Sequence, residues 1–295
     1  MVADRRDWTT VSFEEGREAL KEWREEHARR SEEVVELWEH VLSRSPSSLA
    51  DELCTVYEQV CIAALDCSRT DLAHECINAL HKRFPGSSRV LRLQAMFYEA
   101  RGQWKTAEDI YEKLITADET NPAYRKRRVA MLLGQGKRLE GIKALVEHLE
   151  SFITDSEAWL QLSELYLAES DYARAAHAME EVLLTAPTNS IYLRRLADIR
   201  YTQGGQENVE VARAYYEQAL KFSPVDLRAL YGVVLSCNSL VATARVTPDK
   251  KREYTTAAAA ALSRIQERYE SVEPDAANPE EHSNIMEAVR GMEIH

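Results

Sequence analysis

The sequence predicts an all-α fold, a solenoid of stacked helical hairpins, and three observations carry that expectation. Small residues fall at Ala73, Ala107, Gly141 and Ala175, each 34 positions from the last, and Ala212 follows after 37. Three further columns keep the same phase: Ala64, Tyr98, Leu132 and Tyr166; Ile77, Tyr111, Leu145 and Met179; Leu80, Leu114, His148 and Val182. A fixed period of this length marks a repeat architecture, in which each unit buries its apolar face on the next. The chain also holds only 10 Gly and 8 Pro in 295 residues, too few turn-makers for a many-stranded fold. Hydrophobic residues at 45% and charged residues at 29% belong to a packed globular chain.

The clearest unit is 156–189, with Trp159, Leu162, Tyr166, Ala175, Met179 and Pro187. Trp159 and Tyr166, seven apart, share one helical face. Ala175 sits where the second helix crosses the first closely, so a larger side chain would hold the pair apart. Pro187 stops the second helix. In these residues the unit resembles the tetratricopeptide repeat, which implies a right-handed α-solenoid.

The other units follow in order. Tyr57, Ala64, Ala73 and Pro85 define 54–87; Leu91, Tyr98, Ala107 and Tyr111 define 88–121. The third, 122–155, is degenerate, with Arg125 at the usual apolar anchor and Gly141 at the crossing. The fifth, 190–226, keeps Ala212 and Pro224 and holds three extra residues around Gly204-Gly205-Gln206, read as a longer turn. A partial sixth covers 227–240, after which the register is lost.

Both flanks read as helical caps, which a solenoid needs to cover its terminal apolar faces. In the N-terminal pair, 1–53, Ser12 and Glu15 form a capping box ahead of a helix over 13–28, and Ser31 caps a second over 31–43. The C-terminal segment, 241–295, predicts one long helix over 249–269, a polar mobile tail over 271–284 and a short helix beyond.

Composition and motifs exclude several functions. A net charge of −12 and a pI near 5.3 oppose extended contact with phosphate backbones, so no nucleic acid is expected. The longest uncharged stretch, 229–244, is shorter and more polar than a membrane span. The N-terminus lacks the apolar core of a secretory signal. Five cysteines without a CxxC suit a reducing compartment. Gly134-Gln135-Gly136-Lys137 lacks the earlier Gly and following Ser or Thr of a phosphate loop, and reads as a turn between paired helices. Cys67, His74 and Cys76 do not assemble four metal ligands. No nucleophile motif appears, so neither catalysis nor a cofactor is expected. The run Arg125-Lys126-Arg127-Arg128 stays open between a solvated helix face, a surface for an acidic partner or lipid headgroups, and a nuclear signal.

In tetratricopeptide solenoids the first helices line a concave wall. Here that register gives Glu58, Ile62, Arg92, Met96, Lys126, Leu160, Glu164, Arg194, Asp198, Tyr201 and Tyr231 as candidate partner-binding residues. Co-chaperone members that clamp a terminal carboxylate present Lys and Asn there. Glu58 and Ile62 in the first repeat depart from that pattern, so a peptide-binding adaptor is the alternative reading, behind a scaffold with a mixed, partly apolar wall.

A closer likeness rests on Lys21-Glu22-Trp23-Arg24-Glu25-Glu26, Tyr57-Glu58-Gln59-Val60, Ala63-Ala64-Leu65-Asp66, Phe84-Pro85-Gly86-Ser87 and Tyr201-Thr202-Gln203-Gly204-Gly205. Over 8–240 the chain resembles the subunit 2 family of the endoplasmic reticulum membrane protein complex. The resemblance implies a peripheral scaffold on the cytosolic side of that membrane. It would hold cytosolic segments of the membrane-embedded subunits and a soluble subunit, within an insertase for tail-anchored and multi-pass clients.

Overall fold

The computed structural model describes residues 7–242 and 247–271 and positions 284, 287, 288 and 291. Among them it holds fourteen α-helices and no strand, the all-α tetratricopeptide solenoid class. The helices are α1 (Phe13–Glu25), α2 (Ser31–His40), α3 (Leu53–Asp66), α4 (Thr70–Arg83), α5 (Ser88–Ala100), α6 (Trp104–Ala117) and α7 (Pro122–Gly134). They continue as α8 (Arg138–Ser151), α9 (Ser156–Ala168), α10 (Tyr172–Thr185), α11 (Ser190–Gln203), α12 (Gln206–Phe222), α13 (Leu227–Val241) and α14 (Pro248–Glu270).

The chain divides into two compact units, Met1–Lys137 and Arg138–His295. The boundary falls inside the degenerate third repeat, between α7 and α8, where Arg125 and Gly141 replace the apolar anchor and the crossing Ala.

Helix ends are fixed by local chemistry that recurs with the repeat. At the fifteenth position of five successive units the backbone enters the left-handed region: Ser68 (φ 59°), Gly102 (69°), Gly136 (75°), Ser170 (59°) and Gly204 (74°). In four of them the next N–H reaches back past the turn: Arg69 to the Ala64 carbonyl at 2.7 Å, Gln103 to Tyr98 at 2.9 Å, Lys137 to Leu132 at 3.0 Å and Asp171 to Tyr166 at 2.9 Å. That bond closes the last helical carbonyls and turns the chain into its second helix. The Gly134–Lys137 tetrapeptide is therefore a helix terminus. His27 (φ 55°) and the Ala28 bond to Trp23 at 2.9 Å make the same turn between α1 and α2.

Helix starts follow the period as well. The last residue of one unit caps the next: Asn121, Asp155, Asn189 and Asp226 accept from the first-turn N–H groups of α7, α9, α11 and α13. The capping box of Ser12 and Glu15 is present at α1. Ser31, expected as a cap, is already inside α2. Its hydroxyl donates to Asp66 at 2.7 Å, and the N-cap position is Arg30, which makes no side-chain cap bond.

Ala73, Ala107, Ala175 and Ala212 are fully buried, each opposite a buried small residue of its first helix: Cys61, Ala95, Ser163 and Ala197. Tyr57, Tyr98, Trp159 and Tyr166 pack half-buried against these crossings. Pro85, Pro187 and Pro224 are exposed, each two residues past the end of α4, α10 or α12.

The register that the sequence loses after Leu240 resumes in α14. Ala258, Leu262 and Ile265 are buried at the same offsets as Ala73, Ile77 and Leu80, and pack on Leu230, Val233, Cys237 and Leu240 of α13. A sixth hairpin is thus complete. The expected mobile tail and the short helix after it fall almost wholly outside the described residues.

Candidate partner-binding surface

Two grooves lie on first-helix faces, one in each unit. In the first unit Ile62 and Met96 line a groove of about 450 Å³ with Trp23, Arg24 and Arg30 from the N-terminal hairpin and Arg127 from α7. In the second, Leu160, Glu164 and Asp198 line one of about 310 Å³, floored by Leu167, Met179 and Ile199. Ile62 and Met96 are the candidate wall residues in the first groove, and Leu160, Glu164 and Asp198 those in the second; the rest of each lining comes from other positions.

Charged members of the wall are largely engaged with the chain itself, one repeat apart. Glu58 accepts from Arg89 and, at 2.8 Å, from Arg92. Arg194 donates to Asp226 at 2.7 Å, with both side chains mostly buried, while Asp226 also caps α13. Arg195 meets Glu164 at 3.1 Å. Asp198 accepts from the Tyr216 hydroxyl at 2.5 Å. Burial, and then the hydrogen bond to Asp198, drive the Tyr216 phenol well above its ordinary pKa. The ion pairs tie neighbouring hairpins, because a cation and a carboxylate about 31 to 34 residues apart stand side by side from one repeat to the next, whereas the Tyr216 bond joins α11 to α12 within one hairpin.

Tyr231 is pushed up to about 12 by burial and by its hydrogen bond with Tyr269 of α14. Tyr201 borders a separate hollow beside Gly204 and Gly205. Within the basic run, Lys126 is half-buried and engaged in an interaction, while Arg127 donates to Glu99 at 2.7 Å, and Glu99 also accepts from the Tyr111 hydroxyl. So part of the run is a packing element.

Sequence reasoning missed the share of the N-terminal hairpin in the first groove. Its signal was the Arg29-Arg30 pair just past the His27 turn, a basic step in an otherwise acidic stretch. Among the described residues no three His, Cys, Asp or Glu side chains are grouped to hold a metal, and no helix is long and apolar enough to cross a membrane.

Residues 72–213 match the family described as the EMC2 TPR-like repeat domain. Over 264 residues, 90% of this chain and 89% of the relative, the sequence is 42% identical to ER membrane protein complex subunit 2 of Xenopus tropicalis. It is 32% identical over 195 residues, 62% of this chain and 61% of the relative, to ER membrane protein complex subunit 2 of Dictyostelium discoideum. The solved C-terminal part of a TPR repeat-containing protein from Cytophaga hutchinsonii superimposes with a TM-score of 0.57 at 15% identity, covering 89% of this chain and 97% of that one, a likeness of fold alone. Alignment along nearly the whole length of both chains places this one: it belongs to the ER membrane protein complex subunit 2 family.

Proposed function

We propose that this chain is a non-catalytic scaffold subunit of an ER membrane protein complex. It acts at the cytosolic face of the membrane, where it holds cytosolic segments of membrane-embedded subunits and a soluble subunit and so supports insertion of tail-anchored and multi-pass clients. The observation that carries this reading is the 42% identity, over 90% of the chain, to a protein named as subunit 2 of that complex. The grooves support it physically. Each offers an apolar floor with a charged rim, the composition of a surface that seats another chain.

A transient peptide-clamp adaptor fits less well, because Glu58 already occupies Arg89 and Arg92 and puts a carboxylate where such a clamp needs cations. The test is purification of the tagged chain from detergent-solubilised membranes. Integral membrane proteins that stay bound through high salt, with insertion of tail-anchored clients reduced on depletion, are the expected result. Release at moderate salt, with no membrane protein retained, would overturn the scaffold reading.

A further inference from the structure

We propose that the groove of the first unit seats an acidic segment of a partner chain, one carrying an aliphatic or aromatic residue between its carboxylates. This rests on the scaffold reading and gives that reading a partner chemistry. In a chain of net charge −12, the groove gathers Arg24, Arg29, Arg30 and Arg127 around it, with His27 at the turn and Asp66 as its one carboxylate. Asp66 is already spent. It accepts from Arg29 at 2.7 Å and from the Ser31 hydroxyl at 2.7 Å.

Arg127 is paired as well, with Glu99 at 2.7 Å, whereas Arg24 and Arg30 are under-served. Arg24 is partly buried, donates to the neutral Gln59 amide oxygen at 2.7 Å, and has its carboxylate neighbour, Glu52, only at 3.7 Å. Arg30 has no carboxylate partner among the described residues. Its guanidinium lies 5.4 Å from the centroid of the buried Trp23 ring, which fixes the plane and leaves its N–H edges for an incoming acceptor. A carboxylate bound there forms charge-assisted bonds that the chain itself does not supply.

Beside these cations Ile62 and Met96 present half-buried aliphatic surface over the buried Ala63. Such a floor, flanked by fixed guanidinium groups, suits an extended acidic peptide with an apolar anchor. An anionic bilayer surface would instead need cations projecting from a convex face, and a recessed floor adds nothing to it.

The experiment uses the full chain and a fluorescein-labelled dodecapeptide alternating Glu or Asp with Leu. Its controls are the Lys-for-acid counterpart, a Ser-for-Leu counterpart and phosphatidylserine vesicles. Fluorescence anisotropy is expected to show the acidic, Leu-bearing peptide binding at least about tenfold tighter than either control peptide, and binding is expected to weaken with salt. Arg30→Glu should weaken it by about tenfold or more, as loss of a charge-assisted bond implies, and Arg30→Ala by less, both with unchanged helical circular dichroism. Equal affinity for acidic and basic peptides, or indifference to both Arg30 variants, overturns the proposal. So does Arg30-dependent binding of the vesicles without binding of the peptide. If wild-type chain retains its membrane partners and Arg30→Glu retains them equally, the groove assignment fails and the scaffold stands. If the wild type retains none while the peptide binds as expected, the scaffold reading fails and the groove chemistry stands.

Discussion

The hydroxyl of Ser163 on α9 donates to the main-chain carbonyl of Ala175 on α10 at 2.9 Å, at the crossing point of the fourth hairpin, where both residues are buried. Cys61 stands in the same relation to Ala73 in the first hairpin, its sulfur 3.8 Å from the carbonyl oxygen. The small side chain of the first helix thus does two things. It permits close approach, and it gives a second donor to a carbonyl that the α-helix alone bonds once.

Two substitutions separate these roles. Ser163→Ala keeps the volume and removes the bond, and should cost about 0.5 to 1.5 kcal/mol. Ala175→Leu forces the helices apart and should cost about 1 to 3 kcal/mol. Urea denaturation of each variant reads both, and an Ala175→Leu protein as stable as the parent would contradict the crossing geometry.

Ser68 and Ser170 hold φ near 59° at the turn where the other repeats place Gly. A side chain in this region carries a steric cost that Gly escapes. Ser170→Gly should therefore raise stability by about 0.5 to 1 kcal/mol, the relieved left-handed cost less the extra conformational entropy that Gly loses on folding. Gly136→Ala should lower it by about 1 kcal/mol. Nothing lies within 4 Å of a Cβ built at Gly136, so that loss is conformational and not a clash. Denaturation midpoints in the reverse order would show that these turns do not govern helix termination.

Much of this fold is legible in the sequence because a close helix crossing tolerates only small residues, and that restriction prints Ala73, Ala107 and Ala175 at a constant interval. The sixth hairpin is not legible by interval. α14 begins later in its unit and runs ten residues before Ala258, against three before Ala73 in α4, so Ala258 falls out of phase, although the offsets to Leu262 and Ile265 are intact within the helix. Triads inside a helix survive a change in where the helix begins, whereas the distance between helices does not. The wall residues were placed on their face by register, but register does not say that Glu58 and Arg92, or Arg194 and Asp226, satisfy each other. Reversing Arg92 or Arg194 would therefore disturb hairpin packing together with any partner contact. The share of Arg24 and Arg30 in the first groove was hidden because the N-terminal hairpin lacks the Ala and Pro markers that set the frame.

Gly232 of α13 faces the ring of Tyr216 on α12, and a Cβ at that position would lie 2.4 Å from a ring carbon. The ring cannot swing clear cheaply, since its hydroxyl is held by Asp198 at 2.5 Å. Gly232→Ala should cost about 1 to 3 kcal/mol by overpacking, despite the better helix propensity of Ala. Combining it with Tyr216→Leu should recover part of the loss, because the two residues occupy one space. Additive losses in that double-mutant cycle would rule out the contact as the cause.

Asp66 ties the N-terminal hairpin to the first repeat through Arg29 and Ser31, and its carboxyl is held below the ordinary range chiefly by the Arg29 hydrogen bond. Because its pKa is lower folded than unfolded, its contribution is complete above the unfolded carboxylate value and disappears as pH falls through the folded one. Stability should therefore decline through the acid limb, and Asp66→Asn should flatten that decline while lowering stability at neutral pH. The carboxyl is partly exposed, so salt should shrink both effects. Thermal unfolding across pH 2 to 7, at low and high ionic strength, provides the check: an acid limb of unchanged slope in Asp66→Asn would mean that the link between α1–α2 and α3 rests on the apolar contacts of Trp23 and Trp38 alone.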